Sequence, residues 1–160
     1  MSHQAPYKHF ASRDHILAEV VSRCFDDFAR NLAAARDRAP PDPDAMMAAL
    51  GLAYFDYARA HPLHYRLMFG TPLPSGAKHP GMMASAHHAF DLLRQTVAQM
   101  AVKPAGAASP SLDALFVWST IHGLATILQS DALTTLGLTE MEQRQAIARC
   151  MDRIGFALQP

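Results

Sequence analysis

The chain carries little cysteine and no net charge, and each of these absences excludes a class of site or partner. Cys24 and Cys150 are the two cysteines among 160 residues, and neither belongs to a C-x-x-C or Cys/His metal spacing. We therefore expect two buried thiols in a reducing compartment. Fourteen basic and fourteen acidic side chains cancel, so no overall electric field draws the chain towards nucleic acid or an anionic membrane. Any contact with DNA must be local.

The sequence also lacks the signals of secretion, of a membrane span and of common catalytic sites. It has no charged-then-apolar signal peptide and no apolar run of spanning length, which predicts a cytoplasmic protein. It has no Gly-x-Ser-x-Gly elbow, no glycine-rich phosphate loop and no close pair of carboxylates on an apolar face. Ser119 and His122 are near each other, but no acid that would orient them is evident nearby. We predict that the protein is not an enzyme, and a small helical-bundle enzyme is the weakest alternative.

Apolar residues at helical spacing are what the chain has in abundance. Half of its residues are apolar, which is enough for one substantial core and too few for two full domains. Apolar residues recur every three or four positions, as in Leu17, Val21 and Cys24, and no segment shows sustained strand alternation. The sequence therefore predicts an all-α fold.

Prolines, glycines and capping residues set the predicted helix bounds. The first helix begins after Ser12 and ends in the proline-rich stretch 37–44, where Asp44 is expected to cap the next helix. A short helix begins at Pro62 and ends at Gly70. Three more helices are expected, in segments 86–100, 112–128 and 139–158. In the first of these three, the stripe expected to face the core is Ala86, Phe90, Leu93, Val97 and Met100.

The helix in segment 112–128 is apolar on two sides. One stripe consists of Ala114, Trp118, Ile121, Ala125 and Leu128, and the other of Leu112, Phe116, Gly123 and Ile127. A helix that is apolar on both sides needs two apolar neighbours. It is either the central helix of a single bundle or a helix that meets its own copy across a two-fold axis. Periodicity alone does not choose between these alternatives.

Three motifs in order resemble the tetracycline-repressor (TetR) family of bacterial transcription regulators. Residues 5–20 are similar to the junction at which the recognition helix ends, in a Tyr-x-His-Phe pattern, and a long connecting helix begins. The stretches HPLHYRLMFG and VWSTIHGLA resemble the sensing domain of the subgroup named for its Trp-His-Gly signature, whose positions are filled by Trp118, His122 and Gly123. The resemblance implies a ligand-sensing and dimerisation domain over residues 12–160. Residues 1–11 would be a remnant of a helix-turn-helix.

The resemblance also implies which residues would contact DNA. His3 and Gln4 could reach base edges, and Tyr7, Lys8 and His9 could contact phosphates. A recognition helix needs the preceding helices to brace it in the major groove, and the sequence as given begins at the recognition helix. We therefore expect operator DNA to be bound only if those helices are present.

The resemblance implies a homodimer that acts as a repressor and binds a small apolar effector. The residues expected to bound the pocket are Tyr54, Tyr57, Tyr65, Met68, Phe69, Phe90, Trp118 and His122. For each, membership of a solid core is an equal alternative, and His122 could be a satisfied core histidine. The histidine pairs 61/64 and 87/88 do not converge as metal ligands, so no metal and no cofactor are expected. The alternative function is a dimeric scaffold or partner-binding protein with no sensing role.

The last two helices, about 111–130 and 139–158, are expected to form the dimer interface. Together they hold more apolar surface than a lone bundle of this length would cover. The residues expected there are Leu124, Ile127, Ile147, Met151, Ile154 and Leu158.

Overall fold

The structure is a computed structural model that describes residues 12–100 and 109–159. Over these residues the chain is helical and contains no strand, which confirms the all-α prediction. The helices are α1 (Arg13–Arg38), α2 (Pro43–Ala60), α3 (Pro62–Phe69), α4 (Pro80–Met100), α5 (Pro110–Leu128), α6 (Ala132–Leu136) and α7 (Glu140–Leu158). The DNA contacts expected at His3, Gln4, Tyr7, Lys8 and His9 lie outside the described residues.

Helix α1 is the longest element and begins where the sequence predicted. The Ser12 hydroxyl accepts a hydrogen bond from the His15 amide at 3.2 Å, which satisfies one of the unpaired donors of the first turn. The helix ends before two consecutive prolines that cannot continue it. Its apolar face packs against α4, α2 and α3. This face buries Val21, Phe25 and Phe28, so α1 contributes directly to the core.

The cap of α2 differs from the prediction. Asp42, rather than Asp44, caps the helix, because its carboxylate accepts a hydrogen bond from the Ala45 amide at 2.8 Å and Pro43 occupies the first turn. Asp44 lies one step inside the helix, where a negative charge still favours the helix N-terminus. Helix α3 begins at Pro62 and ends at its cap Gly70, as predicted.

The short helix α6 was not predicted. Its five residues are followed by Gly137, whose φ of 67° lies in the left-handed region that glycine adopts without strain. A helix this short carries too few apolar residues to show a period. Helix α7 follows, and its first turn is fixed by a reciprocal pair of hydrogen bonds between Thr139 and Glu142.

Helix α4 packs on α1, α2 and α5, and its buried face is centred away from the predicted stripe. The fully buried positions include Ala89, Leu92 and Thr96, whereas Ala86, Phe90 and Leu93 are only partly buried. The Thr96 hydroxyl donates to the Leu92 carbonyl at 2.9 Å, which allows a polar residue to lie in the core. Of the predicted stripe, Val97 is fully buried, whereas Ala86, Phe90, Leu93 and Met100 lie at the side of the buried face.

The two apolar sides of α5 have different surroundings. The side that holds Ala114, Ile121 and Ala125 is buried against α4, α2 and α7, whereas Phe116 and Ile127 on the other side are exposed. By length and composition alone α5 could cross a membrane, a property that the sequence reading had excluded. Helix α5 packs against α4, α7, α2 and α6, and 22% of its apolar window is buried within the single chain.

Helix α7 lies against α2 and α5. Ile154 is 0% exposed, and Met151 lies directly over Gly51 of α2, where a Cβ atom would collide with the methionine side chain. The absence of a side chain at Gly51 therefore makes room for the flexible end of the Met151 side chain between α7 and α2. The face predicted for a dimer interface packs largely on the core of its own chain.

Candidate functional site: an apolar pocket beside a tyrosine-histidine cluster

A cavity of about 470 Å³ lies between α1, α2, α3, α4 and α5, and we call it the apolar pocket. Of the predicted pocket residues, the structure places five in its wall: Tyr54, Met68, Phe69, Phe90 and Trp118. The partly buried side of α4, with Ala86 and Leu93, forms another part of the wall. The cavity is large enough for a small organic molecule.

Two residues of α1, Phe25 and Phe28, also form the wall, and the sequence reading did not assign them to it. Phe69 meets both of them edge to face, with ring centroids 5.6 and 6.2 Å apart. Phe69 is also stacked on Tyr54 at 6.5 Å. These offset and perpendicular arrangements are the favoured geometries of aromatic pairs, so they stabilise the present position of the Phe69 ring.

The wall of the apolar pocket is almost free of charge. Among the described residues that line it there is no aspartate, glutamate, lysine or arginine, and the polar side chains are those of Tyr54, His87 and Trp118. An ion placed in such a cavity loses its hydration without gaining a partner, which costs several kcal/mol or more. The pocket therefore favours neutral ligands.

His122 lies behind this wall, in a cluster with two tyrosines. Its Nδ1 is 2.8 Å from the Tyr54 hydroxyl and 2.7 Å from the Tyr65 hydroxyl, and the Tyr65 hydroxyl is 3.3 Å from that of Thr126. Tyr54, Tyr65 and His122 come from three different helices, α2, α3 and α5 respectively. The cluster therefore joins three helices through groups that must be satisfied when buried.

Burial controls the protonation of this cluster. It raises the pKa of Tyr54, with a further rise from neighbouring Tyr65 and an opposing hydrogen bond from Trp118. Burial also raises the pKa of Tyr65, opposed by hydrogen bonds from Thr126 and Tyr54. It lowers the pKa of His122, because the charged imidazolium is desolvated. At neutral pH the tyrosines are protonated and the histidine is neutral.

The lowered pKa of His122 has a consequence for stability. Unfolding restores the histidine to its ordinary value of 6.5, so below that pH the unfolded state takes up a proton that the folded state resists. We expect the His122 contribution to the free energy of unfolding to be complete above about pH 6.5 and to be lost as the pH falls through that value. Urea unfolding at a series of pH values should show a shallower acid decline for His122→Asn than for wild type. The exposed His88→Asn variant is the control, and parallel declines for all three proteins would contradict the expectation.

A groove of about 410 Å³ opens on the other side of the cluster, and we call it the polar groove. It is lined by Tyr65, Arg66, Phe69 and His122, and by Thr126, Gln129 and Ser130 at the end of α5. Phe69 lines both the apolar pocket and the polar groove, whereas His122 lines only the groove. The predicted pocket residues Tyr65 and His122 thus belong to the groove.

Tyr57, the remaining predicted pocket residue, lies in neither cavity. Its hydroxyl donates towards Asp27 Oδ2 at 3.2 Å and lies 3.2 Å from His64 Nδ1. Burial, reinforced by the neighbouring Asp27 charge, raises the pKa of Tyr57. Tyr57 shares the buried face of α2 with Tyr54, and both rings lie 5.1 Å from that of Phe28, but the Tyr57 hydroxyl is directed to Asp27. It fixes α2 to α1 and does not face a ligand.

The six residues predicted for the dimer interface differ in their exposure within the single chain. Ile127 is 45% exposed, whereas Ile154 is completely buried within the single chain and cannot reach a second copy. The assignment of Ile154 to a surface is therefore corrected. The other four, Leu124, Ile147, Met151 and Leu158, are partly buried against the core of their own chain. Leu112, predicted on the second apolar stripe of α5, is strongly exposed, and so are two residues of α7 that the sequence did not single out, Met141 and Phe156.

Ser119 is not arranged for catalysis with His122. Its hydroxyl donates to the Phe116 carbonyl at 2.9 Å, and within the described part of the chain no hydrogen bond joins it to His122. This pair does not form the nucleophile and base that the spacing would have allowed.

Comparison with known proteins places this architecture in a family. Residues 47–154 match the family described as "Tetracyclin repressor-like, C-terminal domain". A protein of unknown function from Rhodococcus sp. RHA1 has a similar structure, with a TM-score of 0.79 and 26% identity over 98% of this chain and 80% of that chain. SCO4313, described as a presumed regulatory protein, has a TM-score of 0.75 and 22% identity over 96% and 79% of the two chains. No curated protein is significantly similar in sequence.

Proposed function

The chain belongs to the tetracycline-repressor-like family of regulators, and from this membership we propose that it is the effector-sensing and dimerisation part of a cytoplasmic transcription repressor. Its effector is a small neutral molecule with a largely apolar surface. Operator DNA is bound only if the bracing helices of a helix-turn-helix are present, and the protein catalyses no reaction on the effector. The apolar pocket carries the proposal.

The walls of the apolar pocket suggest how an effector acts. Phe25 and Phe28 belong to α1, and Trp118 and Ile121 belong to α5. A ligand that fills the cavity contacts both helices at once. The ligand favours the separation of α1 and α5 at which it makes the best contacts. It shifts the equilibrium between two such conformations only by the difference in its affinity for them. Regulation requires no covalent step.

Binding of a neutral dye tests the sensing role directly. Trp118 is the only tryptophan in the sequence and lies in the pocket wall, so its emission reports occupancy. We expect phenylnaphthylamine to bind saturably and quench Trp118. Its sulfonated relative, anilinonaphthalenesulfonate, should bind at least about tenfold more weakly, because its charge has no partner in the pocket.

Two matched variants locate the bound dye. Ala86→Phe places a ring in the cavity and should weaken phenylnaphthylamine binding about tenfold or more, whereas Ala34→Phe, on the exposed face of α1, should leave binding unchanged. If the dye does not bind, or binds equally to both variants, the sensing role loses its support. The scaffold function would then be the better description of the protein.

The exposed side of α5 supports the proposed homodimer. Phe116 and Ile127 lie on one side of the helix with Gly123 between them, and a Cβ atom at Gly123 would meet nothing within 4 Å in the single chain. Gly155 of α7 is open in the same way. Exposed apolar side chains around small residues allow two helices to approach closely and to bury that surface. The second copy of α5 and α7 is the partner that we propose for it.

A further inference from the structure

We propose that the apolar pocket and the polar groove form one elongated site, in which the effector's apolar body fills the pocket and its single carbonyl oxygen accepts a hydrogen bond from His122 Nε2 in the groove. The ligand class is a neutral ketone or ester with a hydrocarbon or aromatic body. This inference rests on the proposed sensing function and deepens it by naming the ligand's polar group.

The position of the ring proton of His122 is the first step. Nδ1 has one lone pair and accepts one full hydrogen bond, although the hydroxyls of Tyr54 and Tyr65 lie 2.8 and 2.7 Å from it. Tyr65 has two other acceptors, Thr126 Oγ1 at 3.3 Å and the His122 carbonyl at 3.4 Å, whereas the alternative acceptor for Tyr54 is the Tyr65 hydroxyl at 3.5 Å. The arrangement in which Tyr54 donates to Nδ1 and Tyr65 to one of its other acceptors leaves Nδ1 without a proton. The proton of the neutral ring then lies on Nε2.

The direction of this proton is the second step. Among the described residues, no side-chain nitrogen or oxygen is both buried and without a hydrogen-bond partner, and the hydrogen bonds of the His122 ring to these residues use Nδ1. The Nε2 atom therefore reaches accessible space. Because His122 lines the polar groove and not the apolar pocket, that space is the groove. An N–H group of this kind is a ready donor to a ligand oxygen.

Phe69 makes the two cavities neighbours. Its ring lies 5.0 Å from that of His122 and 6.3 Å from that of Trp118, measured between centroids. One aromatic ring thus separates the wall of the pocket from the donor in the groove. Phe69 is the last residue of α3, directly before the cap Gly70. A rotation of this one side chain would join the pocket to the groove.

The charges around the groove favour a neutral oxygen over a carboxylate. Helices α3 and α5 both end there, at Gly70 and Gln129, and helix C-termini carry partial negative charge. Arg66 also lines the groove, and no ion pair to it is found among the described residues, but its side chain is exposed and its charge is screened by water. A carboxylate bound in the groove would face the partial negative charges of two helix C-termini, and only the screened charge of Arg66 would stabilise it.

Three matched ligands test the inference on the wild-type protein. Methyl nonanoate, decane and nonanoate share similar chains but differ in the terminal group, and each is used to displace phenylnaphthylamine. We expect the ester to displace the dye at concentrations about tenfold lower than decane, the effect of one added hydrogen bond in a desolvated site. Nonanoate should bind more weakly than the ester. Stronger binding of nonanoate would overturn the choice of a neutral carbonyl and assign the groove to an anion at Arg66.

Two further measurements identify the donor. In His122→Phe, the ratio of ester to decane affinity should fall to about one, whereas His88→Phe, at an exposed position of α4, should keep the wild-type ratio. Because each ratio is taken within one protein, a general loss of affinity cancels. If His122→Phe does not fold, nitrogen NMR of the wild type replaces it: the Nε2–H resonance should shift with the ester and not with decane.

The outcomes separate this inference from the proposed function. Failure of phenylnaphthylamine to bind would remove the sensing role itself. Saturable dye binding with equal affinities for ester and decane would overturn only the carbonyl contact in the groove. A preserved ester preference in His122→Phe, or an unmoved Nε2–H resonance, would also overturn it.

Discussion

Replacing Ile154 by alanine is expected to lower the free energy of unfolding by about 2–5 kcal/mol. The residue is 0% exposed although it lies on the last helix of the chain. Truncation would leave a cavity between α7 and the helices it contacts, α2 and α5. Urea unfolding of wild type and variant at equal chain concentration measures the difference.

An exposed apolar residue of a helix other than α7 is the matched control. Leu63 on α3 is 63% exposed, so Leu63→Ala should change the free energy of unfolding by no more than about 0.5 kcal/mol. Similar losses in the two variants would mean that Ile154 is not a core residue. It would then be available to a partner after all, as the sequence reading supposed.

Replacing Ile127 by glutamate is expected to convert the dimer to a monomer and to leave the chain folded. Ile127 is 45% exposed in the single chain, so a carboxylate there keeps much of its hydration until a second copy covers it. Burial of two unpaired charges at a two-fold interface should weaken association by at least about a hundredfold. Sedimentation at micromolar concentration, with circular dichroism as the measure of folding, tests this.

A second substitution separates the partner's surface from the chain's own core. Gly123→Leu adds a side chain that meets nothing within 4 Å in the single chain, and leucine is a better helix former than glycine. The monomer should therefore be as stable as wild type or more so, while the dimer weakens because the two helices are held apart. Leu52→Glu, at an exposed apolar position of α2, should remain dimeric. A dimeric Ile127→Glu variant would place the interface elsewhere.

Helix positions could be read from the sequence because their signals are local. The Ser12 cap and the Pro62 start act within one turn, and each is found where its signal predicted. The choice between Asp42 and Asp44 was missed because both carboxylates are good caps, and the decision depends on which backbone amide each one reaches.

The candidate site is formed by contacts between distant parts of the chain, which the helical periodicity of the sequence does not predict. Tyr54 and His122 are 68 positions apart in the chain, and Tyr65 and His122 are 57 apart. A helical period shows that a residue faces inward, but it does not show which neighbour it meets. For the same reason the sequence predicted correctly that the face of α7 with Ile154 is apolar. It predicted wrongly that a second copy of the chain covers Ile154, which is buried within its own chain.

A tilt of helix α1 about its middle, which lies in the wall of the apolar pocket, would move the two ends of the helix in opposite directions. Its 26 residues span roughly 39 Å at 1.5 Å per residue, and Phe25, in the pocket wall, lies near the middle. The Arg13 end is about 18 Å from that point along the axis. A tilt of about 5° around Phe25 moves that end by roughly 1.6 Å and the Arg38 end in the opposite direction, while the side chains at the pivot move by only a fraction of this. A change too small to alter the volume of the cavity appreciably is thus enlarged at both ends of the helix.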